Sequence, residues 1–264
     1  MFQFQTYCLD YPPVKGRAFD VFVPETVTKD TAMFFVHGGG WRTGGKEGFH
    51  PIMAAFRDQG YIVASAGYRL GAKTAFLQLQ DIRESYDGFV SVLKQMNRPL
   101  KIAVYGVSAG AHLASLLIYA NPGECGETVK LENKWVKPYK AMLQATPCDF
   151  LYFDEMMPSM WNIMQEMAGI PYDQDPEPYE RLSLKNYVRE DNPPTFFIEA
   201  ELETMFYSEH TLKIAKKHRE MGIQTHWKVY HLMEHGFFYE LRRKGQKDAF
   251  RDICLFLEDK LETL

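Results

Sequence analysis

The stretch VYGVSAGAHLAS, residues 104–115, decides the fold because it has the pattern of a strand end, a tight turn and a helix start. Its centre matches G-x-S-x-G, with Ser108 between Gly106 and Gly110. A serine hydroxyl is a poor nucleophile unless a sharp turn presents it beside a base, and the two glycines leave room for such a turn. The pentapeptide alone also suits a structural turn. Between a strand and a helix, it predicts that Ser108 is a catalytic nucleophile.

Apolar, β-rich runs alternate with helical segments on both sides of this stretch. The runs lie at 32–36, 61–66, 101–105, 140–146, 195–200 and 225–230. The segments whose apolar residues recur every three or four positions lie at 77–96, 109–120, 208–222 and 247–262. This alternation is typical of a mostly parallel central sheet with helices on both faces, an α/β fold. FQFQTY (2–7) and RAFDVFV (17–23) alternate with period two and predict an antiparallel hairpin before it.

Residues 149–192 break the alternation, because they are long, Pro-rich and dense in methionine around Trp161. An insertion of this size in a compact domain favours a lid or binding element over a plain connector. We therefore predict one domain, residues 1–264, with a short lid insertion at 149–192. A methionine-rich helix face packed on the main core is the alternative, and both can hold, since thioether chains suit a pocket wall and a core gap alike.

Composition limits the partners that the chain can have. It has 264 residues, of which 46% are hydrophobic and 24% charged, a net charge of −4 and a pI near 6.1. These values give no electrostatic reason to expect nucleic acid or an anionic membrane, so a small molecule is the expected partner. The oligomeric state stays open, with a homo-oligomer among the possibilities.

The cysteines and the apolar runs indicate a cellular location. The four cysteines form no CxxC pair, which predicts free thiols and no zinc site: Cys8, Cys125, Cys148 and Cys254. The first residues do not resemble a secretory signal, and no apolar run reaches the length of a membrane span. We expect a cytoplasmic protein that needs neither a metal nor a cofactor.

A glycine-rich loop, FFVHGGGW at 34–41, follows another apolar strand and lacks the lysine of a phosphate-binding loop. Such a loop can aim backbone N–H groups at a developing oxyanion. The alternative is a flexible turn. Together with Ser108, the loop predicts an oxyanion hole formed by the N–H groups of Gly39, Gly40, Trp41 and, after the nucleophile, Ala109.

With these motifs, the chain resembles α/β-hydrolases of the esterase/lipase type that carry an HGGGW oxyanion motif. This group includes acetyl esterases, carboxylesterases similar to hormone-sensitive lipase, and arylformamidases. The resemblance runs from AMFFVHGGGW (32–41) through YRL (68–70) and GVSAGAHLA (106–114) to MEHGF (233–237). It implies the α/β-hydrolase fold and the order serine, acid, histidine, with the acid after the penultimate strand and the histidine after the last.

Two histidines, His231 and His235, are placed on the loop predicted after the last strand. In the resembling family, the catalytic base is usually followed by glycine and an aromatic residue, as His235 is by Gly236 and Phe237. His235 is therefore the predicted base. We expect His112, four residues after Ser108, to pack inside the elbow helix, and His37 to shape the glycine loop.

The acid must come from EAELETM, 199–205, where three glutamates lie within five positions. Glu199 and Glu201 are predicted to share one strand face, whereas Glu203 falls beyond the strand end. The family pattern is a small residue, two variable positions and aspartate, and Ala200 to Glu203 align with it. Glu203 is the predicted acid, although the small residue is alanine and the acid is one methylene longer. Glu201, Glu199 and, after the preceding strand, Asp149 remain alternatives.

The resemblance implies a carboxylesterase that acts on short acyl esters, of acetyl type, through an acyl-enzyme. The Ser-acid-His machinery serves an arylformamidase or another small-amide hydrolase equally well. A ligand receptor built on a hydrolase scaffold is the third alternative, but such receptors often lack a triad member. Trp41 and Trp161 are predicted either to wall a narrow acyl pocket or to be ordinary core aromatics.

Overall fold

An eight-stranded sheet forms the centre of the protein in a computed structural model that describes residues 2–71, 73, 75–153 and 156–262. The strands are β1 (Gln5–Cys8), β2 (Ala18–Phe22), β3 (Thr31–Val36), β4 (Val63–Ala66), β5 (Lys101–Val107), β6 (Lys140–Gln144), β7 (Thr195–Leu202) and β8 (Thr225–Glu234). Their order is β1-β2-β4-β3-β5-β6-β7-β8. β2 is antiparallel to β1 and β4, and the remaining pairs are parallel. The predicted hairpin and mostly parallel sheet are confirmed.

Helices cover both faces of this sheet, as predicted. They are α1 (His50–Asp58), α2 (Ala75–Gln95), α3 (Ala109–Tyr119), α4 (Pro158–Ala168), α5 (Glu177–Leu182), α6 (Ser208–Glu220) and α7 (Lys244–Leu257). Short 3-10 turns lie at Lys46–Phe49 and Leu184–Tyr187. One buried cluster joins the sheet to α1 and α7, and a larger one joins it to α2, α3, α4 and α6. None of the helices in the described part of the chain is long and apolar enough to cross a membrane.

Among the elements that differ from the sequence-based expectation are α1 and β8. α1 was not predicted, since it has only nine residues and its apolar side chains follow a proline. β8 continues four residues further than predicted, to Glu234, so His231 lies in the strand and not in a loop. Ala200 pairs with Tyr230 but Leu202 pairs with Glu234, so β8 has extra residues at an irregularity that contains Leu232 at φ 55°. Irregularities of this kind redirect side chains, often beside active sites.

The insertion at 149–192, of which residues 154 and 155 lie outside the described part, contains α4 and α5 between β6 and β7. Met160, Met164 and Met167 on α4 are buried and belong to the larger core cluster. For these three residues, the alternative prediction of a methionine-rich helix face packed on the main core is therefore correct. Arg42, just after the glycine loop, forms an ion pair with Glu166 of α4, which links the insertion to the site described next.

Candidate active site

The structure brings Ser108, His235 and Glu203 together in one hydrogen-bonded chain. The Ser108 Oγ lies 2.8 Å from Nε2 of His235, and Nδ1 of His235 lies 2.7 Å from Oε2 of Glu203. Because a carboxylate only accepts, Nδ1 carries the proton and donates it to Glu203. Nε2 is then free to accept the hydroxyl proton of Ser108. This is the tautomer that a serine nucleophile requires.

The turn that holds Ser108 is strained and tightly packed. β5 ends at Val107, α3 begins at Ala109, and Ser108 between them has φ 54° and ψ −125°, which is unfavourable for a residue with a side chain. A Cβ on Gly110 would lie 2.2 Å from the carbonyl oxygen of Val36. Only glycine lets α3 start this close to β3, so the pattern around the serine is explained by packing as well as by turn geometry.

Both carboxylate oxygens of Glu203 accept hydrogen bonds. It follows the last residue of β7, and its Oε1 accepts from the backbone N–H of Met205 at 2.7 Å while Oε2 faces His235. Burial on its own would raise the pKa of Glu203, but the hydrogen bond and positive potential of His235 and the two backbone N–H donors outweigh it. The pKa lies below the usual carboxyl value of 4.5.

The alternative acids have other partners. Glu201 is exposed and pairs with Nδ1 of His231 at 2.7 Å, and Asp149 lies 3.3 Å from Lys185. Glu199 is buried and contacts Thr211. Glu199 and Glu201 thus do not share one environment, because the irregular pairing of β7 with β8 begins after Ala200. Of the candidate acids, only Glu203 has a hydrogen bond to His235 among those described.

The two histidines expected to be structural have structural contacts. His112 is buried, with Nδ1 accepting from the Trp41 indole at 3.2 Å and Nε2 donating to the Leu182 carbonyl at 2.8 Å. His37 stacks on Tyr68, with ring centroids 4.2 Å apart, and its Nδ1 donates to the Gly38 carbonyl. Burial lowers the pKa of each to about 4, so both rings are neutral near pH 7.

The glycine loop leaves backbone donors free beside Ser108. Gly39 and Gly40 have φ values of 118° and 56°, and among the described residues no acceptor takes their N–H groups or that of Ala109. The N–H of Gly38 is instead accepted by the hydroxyl of Tyr239 at 3.1 Å. The arrangement suits an oxyanion hole formed by Gly39, Gly40 and Ala109. That role, and any part of the Trp41 N–H in it, stays a prediction.

A cavity of about 450 Å³ opens over these groups. Its lining is glycine-rich, with side chains from His37, Val107, Ser108, Met160, Met205, His235 and Tyr239. No lysine, arginine, aspartate or glutamate belongs to it among the described residues. The cavity therefore suits a small uncharged group.

Neither tryptophan lines this cavity. Trp41 is fully buried and packs edge-on against His112 and Phe150, while Trp161 packs on Tyr152, Tyr172 and Tyr179. Trp41 is a core aromatic, and Trp161 is a partly buried one that packs against the core. The wall is formed by Met160, which α4 contributes, and by Met205, which follows the acid.

Sequence reasoning missed Tyr239 and Met205. Tyr239 comes four residues after His235 and stacks on Phe49 of the unpredicted segment before α1, with ring centroids 4.7 Å apart. Its contact with Gly38 joins residues 201 positions apart. No local pattern in HGFFYE signals such a contact.

Comparison with known proteins gives the same fold. The BD-FAE family model matches residues 19–217 of the chain. Esterase 2 of Thermogutta terrifontis superposes with a TM-score of 0.76 at 18% identity, covering 97% of this chain and 100% of that chain. Esterase B of Lactobacillus Rhamnosis (HN001) superposes with a TM-score of 0.79 at 18% identity, covering 98% and 85%. At such identities, the likeness shows a shared fold.

Curated proteins with a similar sequence include two fish enzymes. The kynurenine formamidase of Salmo salar is 27% identical over 128 residues, which is 48% of this chain and 42% of that protein. That of Danio rerio is 28% identical over 110 residues, 41% and 36% of the two lengths. The chain thus spans less than half of the length of these relatives.

Proposed function

The chain belongs to the BD-FAE family, and from this premise we propose that it is a serine hydrolase of short-chain carboxylic esters. The observation that carries the proposal is the hydrogen-bonded chain Ser108–His235–Glu203, whose serine and histidine line a small uncharged cavity. A small-molecule ester is the proposed partner. A cytoplasmic location is part of the proposal, supported by four free cysteines.

The reaction proceeds through an acyl-enzyme. Ser108 Oγ attacks the ester carbonyl carbon while Nε2 of His235 takes its proton, and Glu203 stabilises the imidazolium. Backbone N–H groups of Gly39, Gly40 and Ala109 hold the oxyanion. His235 then gives its proton to the leaving alcohol. A water molecule, deprotonated by His235, attacks the acyl group and releases the carboxylic acid and free Ser108.

Cavity size and lining support a short acyl group. Met160 and Met205 line an uncharged cavity of about 450 Å³, which suits a small aliphatic acyl group better than an anionic one. Structures of the Thermogutta terrifontis enzyme, which shares the fold, have propionate or butyrate bound. We further propose that residues 149–192 act as a short cap, anchored by the Arg42–Glu166 ion pair.

Hydrolysis of p-nitrophenyl esters from acetate to octanoate tests this function. We expect kcat/KM to be highest at acetate or butyrate and to fall by about tenfold or more at octanoate, because longer chains must displace Met160 or Met205. A preference for octanoate would contradict the short-acyl assignment. The absence of turnover on every chain length would contradict the esterase.

A second candidate is an aryl-formamide hydrolase, which the similarity to two kynurenine formamidases favours. Formyl is the smallest acyl group and fits the same cavity, and His235 would protonate an aromatic amine in place of an alcohol. An N-formyl aromatic amine, assayed beside phenyl acetate, separates the two functions. A kcat/KM for the formamide above that for the ester would assign the chain to formamide hydrolysis.

Tyr239 is expected to position the glycine loop, since its hydroxyl holds the N–H of Gly38 next to the free donors. For Tyr239→Phe we expect kcat to fall by about tenfold with KM nearly unchanged, because one lost hydrogen bond loosens donors that act mainly in the transition state. The fully exposed Tyr11→Phe is the matched control. An unchanged kcat, or a rise in KM alone, would contradict the role.

A further inference from the structure

Glu199 is a buried carboxyl group that the proposed reaction does not use. It lies near the end of β7, 1% exposed, four residues before Glu203. Its Oε1 lies 2.6 Å from the hydroxyl of Thr211 on α6. A carboxylate buried to this degree would need a cation or several donors. Among the described residues, no cation is recorded as interacting with it.

The hydroxyl of Thr211 shows where the proton lies. It contacts the Ser208 carbonyl at 2.8 Å and the Trp227 indole N–H at 3.0 Å, besides Glu199. A hydroxyl has one proton to donate and two lone pairs to accept with. The Ser208 carbonyl only accepts and the indole only donates. All three contacts are two-centre hydrogen bonds only if Thr211 donates to Ser208 and accepts from both Trp227 and a protonated Glu199.

We propose that Glu199 is a neutral carboxylic acid whose O–H donates to Thr211 and that it is thereby a positioning residue for Glu203. β7 ends at Leu202 and α6 begins at Ser208, so Glu203 lies on the five-residue loop between them. The Glu199–Thr211 bond fixes the first turn of α6 against β7, and thus both ends of that loop. The effect on catalysis rests on the proposed function, but the protonation of Glu199 does not.

The surroundings of Glu199 favour the neutral form. Burial and, to a smaller extent, the negative charges of Glu203 and Glu209 raise the pKa of Glu199 to about 8, against the opposite effect of the contact with the Thr211 hydroxyl. The buried Cys148 after β6 also interacts with it electrostatically, and burial raises the pKa of that thiol. Trp227 contributes an uncharged donor from β8. Ionisation would therefore place a second negative charge beside Glu203 and remove the donor to Thr211.

The first test compares Glu199→Gln with the wild type, because glutamine keeps a donor and cannot ionise. Unfolded chains ionise near the usual pKa of 4.5, whereas the folded protein holds the proton to about pH 8. Wild-type stability therefore falls relative to the variant through that window and stays level above it. We expect the Tm of Glu199→Gln minus that of the wild type to rise by about 10 °C across the window. A flat or falling difference would overturn the proposal.

Infrared spectroscopy reports the proton directly and requires no activity. The wild-type minus Glu199→Gln difference spectrum at about pH 6.5 should contain the C=O stretch of a neutral carboxylic acid, which disappears above pH 8. The exposed Glu201→Gln is the matched control and should give carboxylate bands only. Carboxylate bands in the Glu199 difference would overturn the assignment.

Kinetics tests the positioning role. We expect kcat of Glu199→Ala to fall by about tenfold with KM unchanged, Glu199→Gln to restore it, and wild-type kcat/KM to decline above pH 8 while that of Glu199→Gln does not. Failure of Glu199→Gln to restore kcat would contradict positioning. Inactivity of the wild type on every ester and formamide would instead contradict the proposed function, and the infrared result would still decide the protonation.

Discussion

Replacing Ser108 with alanine is expected to lower kcat for ester hydrolysis by about 10⁴- to 10⁶-fold. The variant lacks the oxygen that lies 2.8 Å from His235 and that we propose as the nucleophile. What remains is binding and oxyanion stabilisation, which alone give a small residual rate. Release of p-nitrophenol under single-turnover and steady-state conditions measures the effect. KM should change little, since the alanine leaves the cavity wall intact.

Ser115→Ala is the matched control for this change. Ser115 lies on α3, the helix that begins directly after Ser108, is buried, and donates to the His112 carbonyl, so its loss tests whether a serine-to-alanine change close to the site is enough to disturb it. We expect it to retain kcat within about twofold. A fluorophosphonate probe should label the wild type and Ser115→Ala once each, and not Ser108→Ala. Labelling of Ser108→Ala, or its retention of more than about a tenth of kcat, would assign the nucleophile elsewhere.

Glu203→Gln is expected to lower kcat by about 10³- to 10⁴-fold. A glutamine can donate to Nδ1 of His235 and so favour the tautomer that protonates Nε2, which can no longer accept from Ser108. It also removes the negative charge that stabilises the imidazolium. Glu201→Gln, in the exposed pair with His231, should keep kcat within about twofold. Equal losses of kcat in the two variants would contradict the assignment of Glu203 as the acid.

The pH dependence of stability gives a second test of Glu203→Gln. Because the pKa of Glu203 is lowered in the folded state, its ionised form stabilises the protein above pH 4.5, and this contribution disappears as the pH falls through the lower folded value. The Tm of the wild type should therefore exceed that of Glu203→Gln near pH 7, and the excess should shrink toward pH 3. An excess that grows on acidification would contradict the lowered pKa.

Sequence reasoning was strongest where a local pattern reflects backbone geometry. The elbow around Ser108 was predicted because only glycine tolerates the contacts at 106 and 110, and the alternating runs predicted the sheet because parallel strands are buried on both faces. The three side chains of the hydrogen-bonded chain were all named from sequence. Their assembly follows from the topology, since parallel strands end at the same edge of the sheet.

What could not be predicted depends on contacts between distant segments. The extra residues of β8 are seen only against its partner β7, and they separate the surroundings of Glu199 and Glu201. The packing of α4 determines which of its side chains line the cavity. Met160 does so and Trp161 does not. Tyr239 was missed because an isolated tyrosine carries no signal of the backbone amide that it accepts.

The bond between Tyr239 and Gly38 also bears on when the protein becomes competent during synthesis. It joins residues 201 positions apart, and His235 meets Ser108 across 127. The nucleophile, the glycine loop and most of the sheet leave the ribosome long before the segment that completes them. Nascent chains that end before Tyr239 lack the hydroxyl that accepts from Gly38, so we expect the glycine loop to reach its final arrangement only after this residue has been added.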